Sequence, residues 1–302
     1  MTSAHSVAID IDGGNHTSEP IVFDASTAAT EVWLVGAGDG AEIRPSDRDP
    51  SATLFTIRDG APPIYFQALT LLGSIRSEGG RFHATRCIFG PARDDSHRLR
   101  RLQGLDGLQP SQRALTVAGG VVVIEEATFF NLTGGAIAVE AGGTLQISNS
   151  RLSSNRADIG GAMIIRGGRA VVARCLIERN YAVVAGGGLH VTGGVLELTN
   201  QTVLRGNEAS EASSISVAPG TPSYVTYALP APLAHYVFVV GGTSFAVLTS
   251  SINVDFPFPC PGGVVGNSYA ALAQSGPWCS DVCPAGFACR AGTEVPEICP
   301  PG

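Results

Sequence analysis

Acidic side chains are the groups in this 302-residue sequence that could most readily do chemistry. Carboxylates clustered on one strand face, often with an Arg, can bind calcium or act as general acid and base. Neighbours on a strand point to opposite faces, so Glu125 and Glu126 cannot both serve one site. Catalytic residues are scarce among surface acids, and we therefore expect solvated carboxylates. The candidates are Asp94, Asp95, Glu125, Glu126, Glu140, Asp158 and Glu178.

Histidine, cysteine and basic residues give no signature of a metal, cofactor or nucleophile site. All 19 basic residues are Arg, which excludes a Schiff-base or phosphate-loop lysine. We expect His83 and His190, which fall within apolar runs, to be stacked structural residues. Cys87 and Cys175 lack an identifiable His partner and are expected to be buried core thiols. The six histidines are scattered without ligand spacing: His5, His16, His83, His97, His190 and His235.

Charge and hydropathy exclude several partners. The formal net charge is −7 and only 15% of residues are charged, with no concentrated basic face, so nucleic acid is an unsuitable partner. The longest apolar stretch, 236–248, is interrupted by Gly, Thr and Ser and is too short for a membrane span. The N-terminus has no basic residue before an apolar core, so it does not resemble a signal peptide.

Three series of residues repeat with a period of about 25. One Gly-Gly series begins at Gly119, Gly142, Gly167 and Gly193, a second begins at Gly134, Gly160 and Gly186, and an asparagine series contains Asn131, Asn155, Asn180 and Asn207. Short apolar runs follow each Gly-Gly pair, as at 136–139 and 144–147, and runs of this length and composition predict strands.

Several short strands in each 25-residue unit are typical of a parallel β-solenoid. Stacking would bury one side chain per strand position, place Gly at corners, and align the asparagines as an internal amide ladder. The segment Gly79–Cys87 parallels Gly167–Cys175, which predicts that Cys87 and Cys175 occupy equivalent positions. The sequence therefore predicts an all-β protein with a β-solenoid over 1–218 and an inserted loop or short helix at about 91–113.

The repeats resemble those of polymorphic outer-membrane proteins, within the pectin-lyase-like superfamily. The residues that carry this resemblance are Phe130-Asn131 before Gly134-Gly135, and Asn155 before Gly160-Gly161. The resemblance implies a right-handed parallel β-helix. It does not imply one activity, since this scaffold carries enzymes, adhesins and spacers alike. None of the carboxylates makes the polygalacturonase or pectin-esterase residue set.

The last 43 residues, 260–302, are dominated by Pro, Gly and Cys and predict a small disulfide-held module. Residues 283–293 and 299–302 resemble the ephrin-receptor-like cysteine-rich repeat, and five cysteines cannot all pair internally, so we expect a longer natural protein. Zinc is a weaker alternative because no His lies nearby. The disulfide candidates are Cys260, Cys279, Cys283, Cys289 and Cys299. Between the two domains, 219–259 is Pro-rich, with two expected capping strands at 236–240 and 245–248.

Three Asn-x-Thr sequons fit a secreted glycoprotein, at Asn15, Asn131 and Asn200. Asn131 is the least suited of them if it belongs to the inner ladder. We expect a non-enzymatic extracellular or cell-surface protein without a cofactor, structural or adhesive, that binds cell-surface glycans or proteins. The full-length protein could still be membrane-anchored.

Two alternatives stay open. A polysaccharide lyase or hydrolase acting in a groove of the β-helix should place two or more carboxylates within about 10 Å on one face. A bare spacer that lifts other domains off a surface would show neither a groove nor a ligand.

Overall fold

The computed structural model describes residues 5–37, 40–46, 53–91, 113–199 and 202–217, with short segments further on at 223–228, 245–248, 263–266, 279–290, 293 and 295–299. Within these ranges the chain forms strands and no helix, which confirms the all-β prediction. The expected inserted segment lies almost wholly outside the described residues, as does the expected strand at 236–240.

The strands are short and follow one another closely along the chain. In order they are β1 (Ser6–Ile11), β2 (Gly14–Ser18), β3 (Ile21–Phe23), β4 (Glu31–Gly36), β5 (Ala41–Pro45), β6 (Thr53–Ile57), β7 (Ile64–Gln67), β8 (Leu69–Leu71), β9 (Ser74–Thr85), β10 (Ile88–Phe89), β11 (Leu115–Glu125), β12 (Thr128–Phe130), β13 (Ile137–Glu140), β14 (Gly143–Ser148), β15 (Arg151–Ser153), β16 (Arg156–Ile159), β17 (Met163–Ala173), β18 (Leu176–Glu178), β19 (Tyr181–Ala185), β20 (Leu189–Thr199), β21 (Val203–Arg205), β22 (Glu208–Glu211), β23 (Ile215–Val217), β24 (Ser223–Ala228), β25 (Phe245–Leu248), β26 (Val264–Gly266), β27 (Cys279–Val282), β28 (Phe287–Ala288) and β29 (Glu297–Ile298).

Three parallel sheets contain most of these strands. The long sheet has 14 strands and runs from β1 through β4, β7, β9, β11, β13, β17 and β20 to β24 and β25. The second sheet has eight strands, from β2 to β21, and the third has three, in the order β16, β19, β22. Among the described residues of these sheets, the pair β24–β25 is the exception to parallel pairing, because β25 runs antiparallel.

Strand register confirms the sequence repeats. Gly120 aligns with Gly143, and the strand pairs that follow place Gly168 and Gly194 at the same position. Ile137, Met163 and Leu189 align in the same way after the second Gly-Gly series. The predicted strands on either side of Gly167-Gly168 are one continuous strand, β17, because the backbone crosses the glycine pair with a register shift and does not end there.

The core lies between the sheets and consists of side chains stacked on their equivalents. Val122, Leu145, Ala170 and Leu196 align from strand to strand, and all are buried. Aromatic rings stack in the same manner: Phe89 and Phe129 lie parallel with centroids 4.2 Å apart. Such burial of apolar area is the main stabilising term for these strands.

The asparagine ladder is present in three of its four predicted members. Asn155, Asn180 and Asn207 are buried, and each is hydrogen-bonded to the next. The prediction for Asn131 is wrong: its side chain is exposed and its φ is +54°, while Leu132 takes the position that stacks on Asn155. Residues that align between β12 and β15 are 23 positions apart, as Thr128 and Arg151 are, whereas Asn131 and Asn155 are 24 positions apart. Asn131 therefore falls one residue before the ladder position, at a corner with left-handed backbone conformation.

Candidate functional site

An open cleft of about 580 Å³ lies beside the outer face of the long sheet, next to β13 and the first halves of β9, β11 and β17. Its charged lining residues are Arg76, Arg113, Glu140, Asp158 and Arg166. Three guanidinium groups and two carboxylates line the cleft, on a chain whose net charge is −7. We define these five residues as the arginine cleft.

Parallel register brings these residues together from distant parts of the chain. Arg76 on β9 aligns with Thr116 on β11, which aligns with Ala138 on β13. Glu140 and Arg166 align directly across β13 and β17. Asp158 comes from β16 in the third sheet, which forms the far wall. The cleft therefore depends on the stacking of successive repeats.

Arg113 differs from the other cleft arginines because its guanidinium is held by main-chain oxygens. Nη2 donates to the carbonyl oxygen of Ile159 at 3.0 Å, and Nη1 donates to those of Ile137 and Gly160 at 3.3 and 3.4 Å. Within the described part of the chain, no carboxylate lies within ion-pair distance of Arg113. Its charge is therefore only partly balanced by the cleft.

Burial and charge both act on Arg113. Desolvation and the nearby Arg166 lower its pKa to about 10, against the opposing effect of Glu140 and Asp158. The guanidinium remains protonated at neutral pH. The opposite charge of a bound anion would compensate for the lost hydration of Arg113 and for its repulsion from Arg166.

The other two cleft arginines are already paired. Arg166 Nη1 lies 2.8 Å from Glu140 Oε1, and Arg76 Nε lies 2.9 Å from Glu78 Oε1. These arginines are about half exposed, so their ion pairs exchange with solvent or a ligand at small cost. Asp158 is exposed as predicted, whereas Glu140 is half-buried.

The remaining predicted acids do not join the cleft. Glu125 and Glu126 are exposed, as predicted. The prediction of a solvated carboxylate is wrong for Glu178, which is only 2% exposed on β18 of the second sheet. Arg151 and Arg205 from the strands on either side bind its two oxygens. Asp94 and Asp95 lie outside the described residues.

Opposing effects set the ionisation of Glu178. Burial raises the pKa of its carboxyl, but the hydrogen bonds from Arg205 and Arg151 outweigh burial and leave the pKa below its usual value. Glu178 is thus a buried carboxylate that links three consecutive strands.

The two strand histidines lie within β9 and β20, as their positions in apolar runs predict. His83 lies against the Tyr65 ring with centroids 5.1 Å apart. His190 is buried beside Ile164, and the tight turn at Gly186 covers it: a Cβ on Gly186 would lie 2.9 Å from the His190 Cβ. Burial lowers the pKa of both imidazoles, and Arg166 and Arg113 lower that of His190 further.

Cys87 and Cys175 are buried thiols at equivalent positions, which confirms their predicted relation. Cys87 and Cys175 come directly before β10 and β18, two strands of the second sheet. β12 and β15 lie between these strands in the sheet and are in register with them, and the equivalent residues before β12 and β15 are Ala127 and Ser150. Burial raises the pKa of both thiols to about 11, so neither is a thiolate at neutral pH.

An aromatic column on the outer face of the long sheet was not predicted. Trp33, Tyr65 and His83 align on β4, β7 and β9, and the Trp33 and Tyr65 rings stack with centroids 4.1 Å apart. These residues are 32 and 18 positions apart, so a search at a fixed period of 25 misses them. A comparison of outward-facing positions between strands of unequal spacing would have found them.

Among the described C-terminal residues, Cys283 and Cys289 form a disulfide. Cys299 is exposed and free, Cys279 lies on β27, and Cys260 lies outside the described residues. Of the sequon asparagines, Asn15 and Asn131 are exposed, so the reason for ranking Asn131 last does not hold. Asn200 lies outside the described residues.

The described residues hold neither a metal-ligand cluster nor a membrane-spanning helix. They contain no group of three or more His, Cys, Asp or Glu side chains that could hold a metal ion. They also contain no helix with the length and hydropathy needed to cross a membrane. Comparison with protein-family models, curated proteins and solved structures gives no match for this chain.

Proposed function

We propose that this chain is a non-enzymatic extracellular or cell-surface protein that binds an acidic glycan in the arginine cleft. The observation that carries the proposal is Arg113, a partly buried guanidinium that lines the cleft and has no carboxylate partner in the described structure. Guanidinium groups bind carboxylates and tetrahedral oxyanions through paired N–H donors. Polysaccharides that carry them are common outside cells.

The scaffold in this proposal is a right-handed parallel β-helix followed by an ephrin-receptor-like module. Consistent parallel register, the asparagine ladder and the stacked core support the solenoid. The Cys283–Cys289 disulfide and the exposed sequon asparagines support an oxidising, extracellular location. A crystal structure tests the handedness, and a left-handed rise between repeats would contradict it.

A glycan array with the oxidised protein tests the binding function. We expect signals on polygalacturonate or sulfated glycans and none on neutral ones, with loss of signal in Arg113→Gln. Arg169→Gln is the matched control, since Arg169 is an exposed, ion-paired arginine that does not line the cleft. Equal binding by Arg113→Gln and wild type, with equal melting temperatures, would overturn the proposal.

A second candidate function is a polysaccharide hydrolase or lyase. One observation favours it: Glu140 and Asp158, two of the predicted acids, line the same cleft. In such an enzyme one carboxyl would act as acid and the other as base or nucleophile. Incubation with polygalacturonate tests it. New reducing ends or unsaturated products that disappear in Glu140→Gln and Asp158→Asn would establish the enzyme, and unchanged polymer would exclude it for that substrate.

A further inference from the structure

A second, smaller pocket lies on the outer face of β4, β7 and the second half of β9. It encloses about 240 Å³, and its lining includes Trp33, Tyr65, Gln67, His83 and Thr85. None of the five charged residues of the arginine cleft lines it. We define these five lining residues as the aromatic pocket.

Strand alternation places all five side chains on the outer surface. The residues next to them along each strand point the other way. Leu34 follows Trp33, Phe66 separates Tyr65 from Gln67, and Ala84 separates His83 from Thr85. All three of these neighbours are buried in the core. The lining residues themselves are half-buried. The pocket is therefore a surface feature with an apolar wall, which core packing alone does not require.

The apolar wall is the aromatic column. Trp33 and Tyr65 stack with an interplanar angle of 9°, and His83 continues the column at 34° to Tyr65. Stacking on both neighbours fixes the Tyr65 ring, so the wall is rigid before any ligand arrives. A preformed wall lowers the entropic cost of binding.

Polar, uncharged side chains lie beside the aromatic rings on the same outer face of the sheet. Gln67 and Thr85 align across β7 and β9, two residues beyond Tyr65 and His83. Neither side chain forms a hydrogen bond with another described residue, so the amide and the hydroxyl are available. Burial lowers the pKa of His83, which keeps the imidazole neutral at pH 7. No guanidinium or carboxylate lines the pocket.

We propose that the aromatic pocket binds one uncharged sugar ring of a polysaccharide. The C–H groups of a pyranose would pack on the indole and phenol rings, and its hydroxyls would bond to Gln67 and Thr85. The volume is below the roughly 300 Å³ at which pockets for larger ligands begin, which fits one ring. This site rests on different residues from the arginine cleft and stands or falls independently of it.

Fluorescence of Trp33 tests the proposal. The chain has two tryptophans, Trp33 and Trp278, so the Trp278→Phe variant reports on Trp33 alone. The probes are cellohexaose, mannohexaose, xylohexaose and a β-1,3-linked glucohexaose, each titrated to about 10 mM because single-ring contacts give millimolar affinities. We expect a saturable change with at least one probe. The absence of any saturable change would overturn the proposal.

Variants separate the pocket from the cleft. Gln67→Ala with Thr85→Ala should weaken the affinity about tenfold, as expected for two lost hydrogen bonds, and Gln67→Ala alone by about threefold. Arg113→Gln should not alter the titration. A signal that persists unchanged in the Gln67/Thr85 variants would also overturn the proposal, provided that circular dichroism shows the same fold and melting temperature.

Discussion

Asn180 Oδ1 accepts two hydrogen bonds from Asn155, one from its main-chain N at 3.0 Å and one from its side-chain Nδ2 at 2.9 Å. Asn207 makes the same two contacts with Asn180. Each asparagine also donates to a main-chain carbonyl of the preceding repeat, as Asn180 does to Leu152. The ladder thus satisfies buried polar groups between successive repeats and fixes their register.

Replacement of Asn180 by Ala should destabilise the protein by about 3 kcal/mol. The variant removes the acceptor of two Asn155 hydrogen bonds and the side-chain donor to Leu152 O and Asn207 Oδ1, and each buried group left unsatisfied costs about 1–3 kcal/mol. Urea denaturation measures the change. The control is Asn131→Gly, which should cost less than about 0.5 kcal/mol because Asn131 is exposed and its positive φ suits Gly. Equal losses in the two variants would contradict the assignment of the ladder.

Removal of both arginines around Glu178 should destabilise the protein only modestly. The half-exposed guanidinium groups of Arg151 and Arg205 cover the Glu178 carboxylate, so their removal opens it to water and does not leave a buried charge without a partner. Ion pairs with exposed partners contribute about 1 kcal/mol or less each, so we expect Arg151→Ala with Arg205→Ala to lower the free energy of unfolding by about 1–2 kcal/mol in urea denaturation. A loss above about 4 kcal/mol would contradict this, because it would show that the carboxylate stays buried without them.

Low pH should remove the contribution of the Glu178 carboxylate to the free energy of unfolding. Its pKa is lower in the folded state than the usual 4.5, so the stabilisation is complete above pH 4.5 and declines as the pH falls through the folded value. The difference in unfolding free energy between wild type and Glu178→Gln should shrink below about pH 4.5. A constant difference from neutral pH down to about pH 3 would show that the carboxylate is not the source.

The two strand histidines, His83 and His190, should make the free energy of unfolding depend on pH in a second range, above that of Glu178. The pKa values of His83 and His190 are below 6.5 in the folded protein, so the unfolded chain binds more protons below pH 6.5. Stability should therefore fall as the pH is lowered from about 7.5 to 5.5. Thermal melts of His83→Gln with His190→Gln should show a flatter profile in this range. An unchanged slope would contradict the burial of these imidazoles.

Cysteine labelling should separate buried from exposed thiols. Cys87 and Cys175 have pKa values of about 11 and are buried, so iodoacetamide at about pH 8 should modify them only after unfolding. Cys299 is exposed and should react in the native protein. Mass spectrometry of the digested protein reads out each site, and rapid native labelling of Cys175 would contradict the core assignment.

Much of the fold follows from the sequence because the period is strong where glycine pairs and asparagines recur. Gly120, Gly143 and Gly168 align as their spacing predicts, since a Cβ at any of the three would collide with a main-chain carbonyl oxygen of the neighbouring strand. Asn131 shows the limit of this argument. Its spacing differs by one residue from the strand register, and a one-residue difference moves a side chain from the core to the surface.

The candidate site was less predictable than the fold. Glu140 and Asp158 were identified as candidates by residue type, but Arg113 was not, because its role depends on carbonyl oxygens from two later repeats. The burial of Glu178 likewise depends on arginines 27 residues away on both sides. Sequence patterns report periodicity along the chain, whereas these contacts arise from lateral stacking.

Isothermal titration of a hexagalacturonate into the wild-type protein and Arg113→Gln is the most direct test of binding at the arginine cleft. At low ionic strength we expect heat of binding for the wild type, at least a tenfold loss of affinity in Arg113→Gln, and weaker wild-type binding as salt is added. Neutral cellohexaose should give no heat that depends on Arg113. Wild-type binding that is unaffected by Arg113→Gln and by salt, or no binding of any acidic oligosaccharide, would contradict the account.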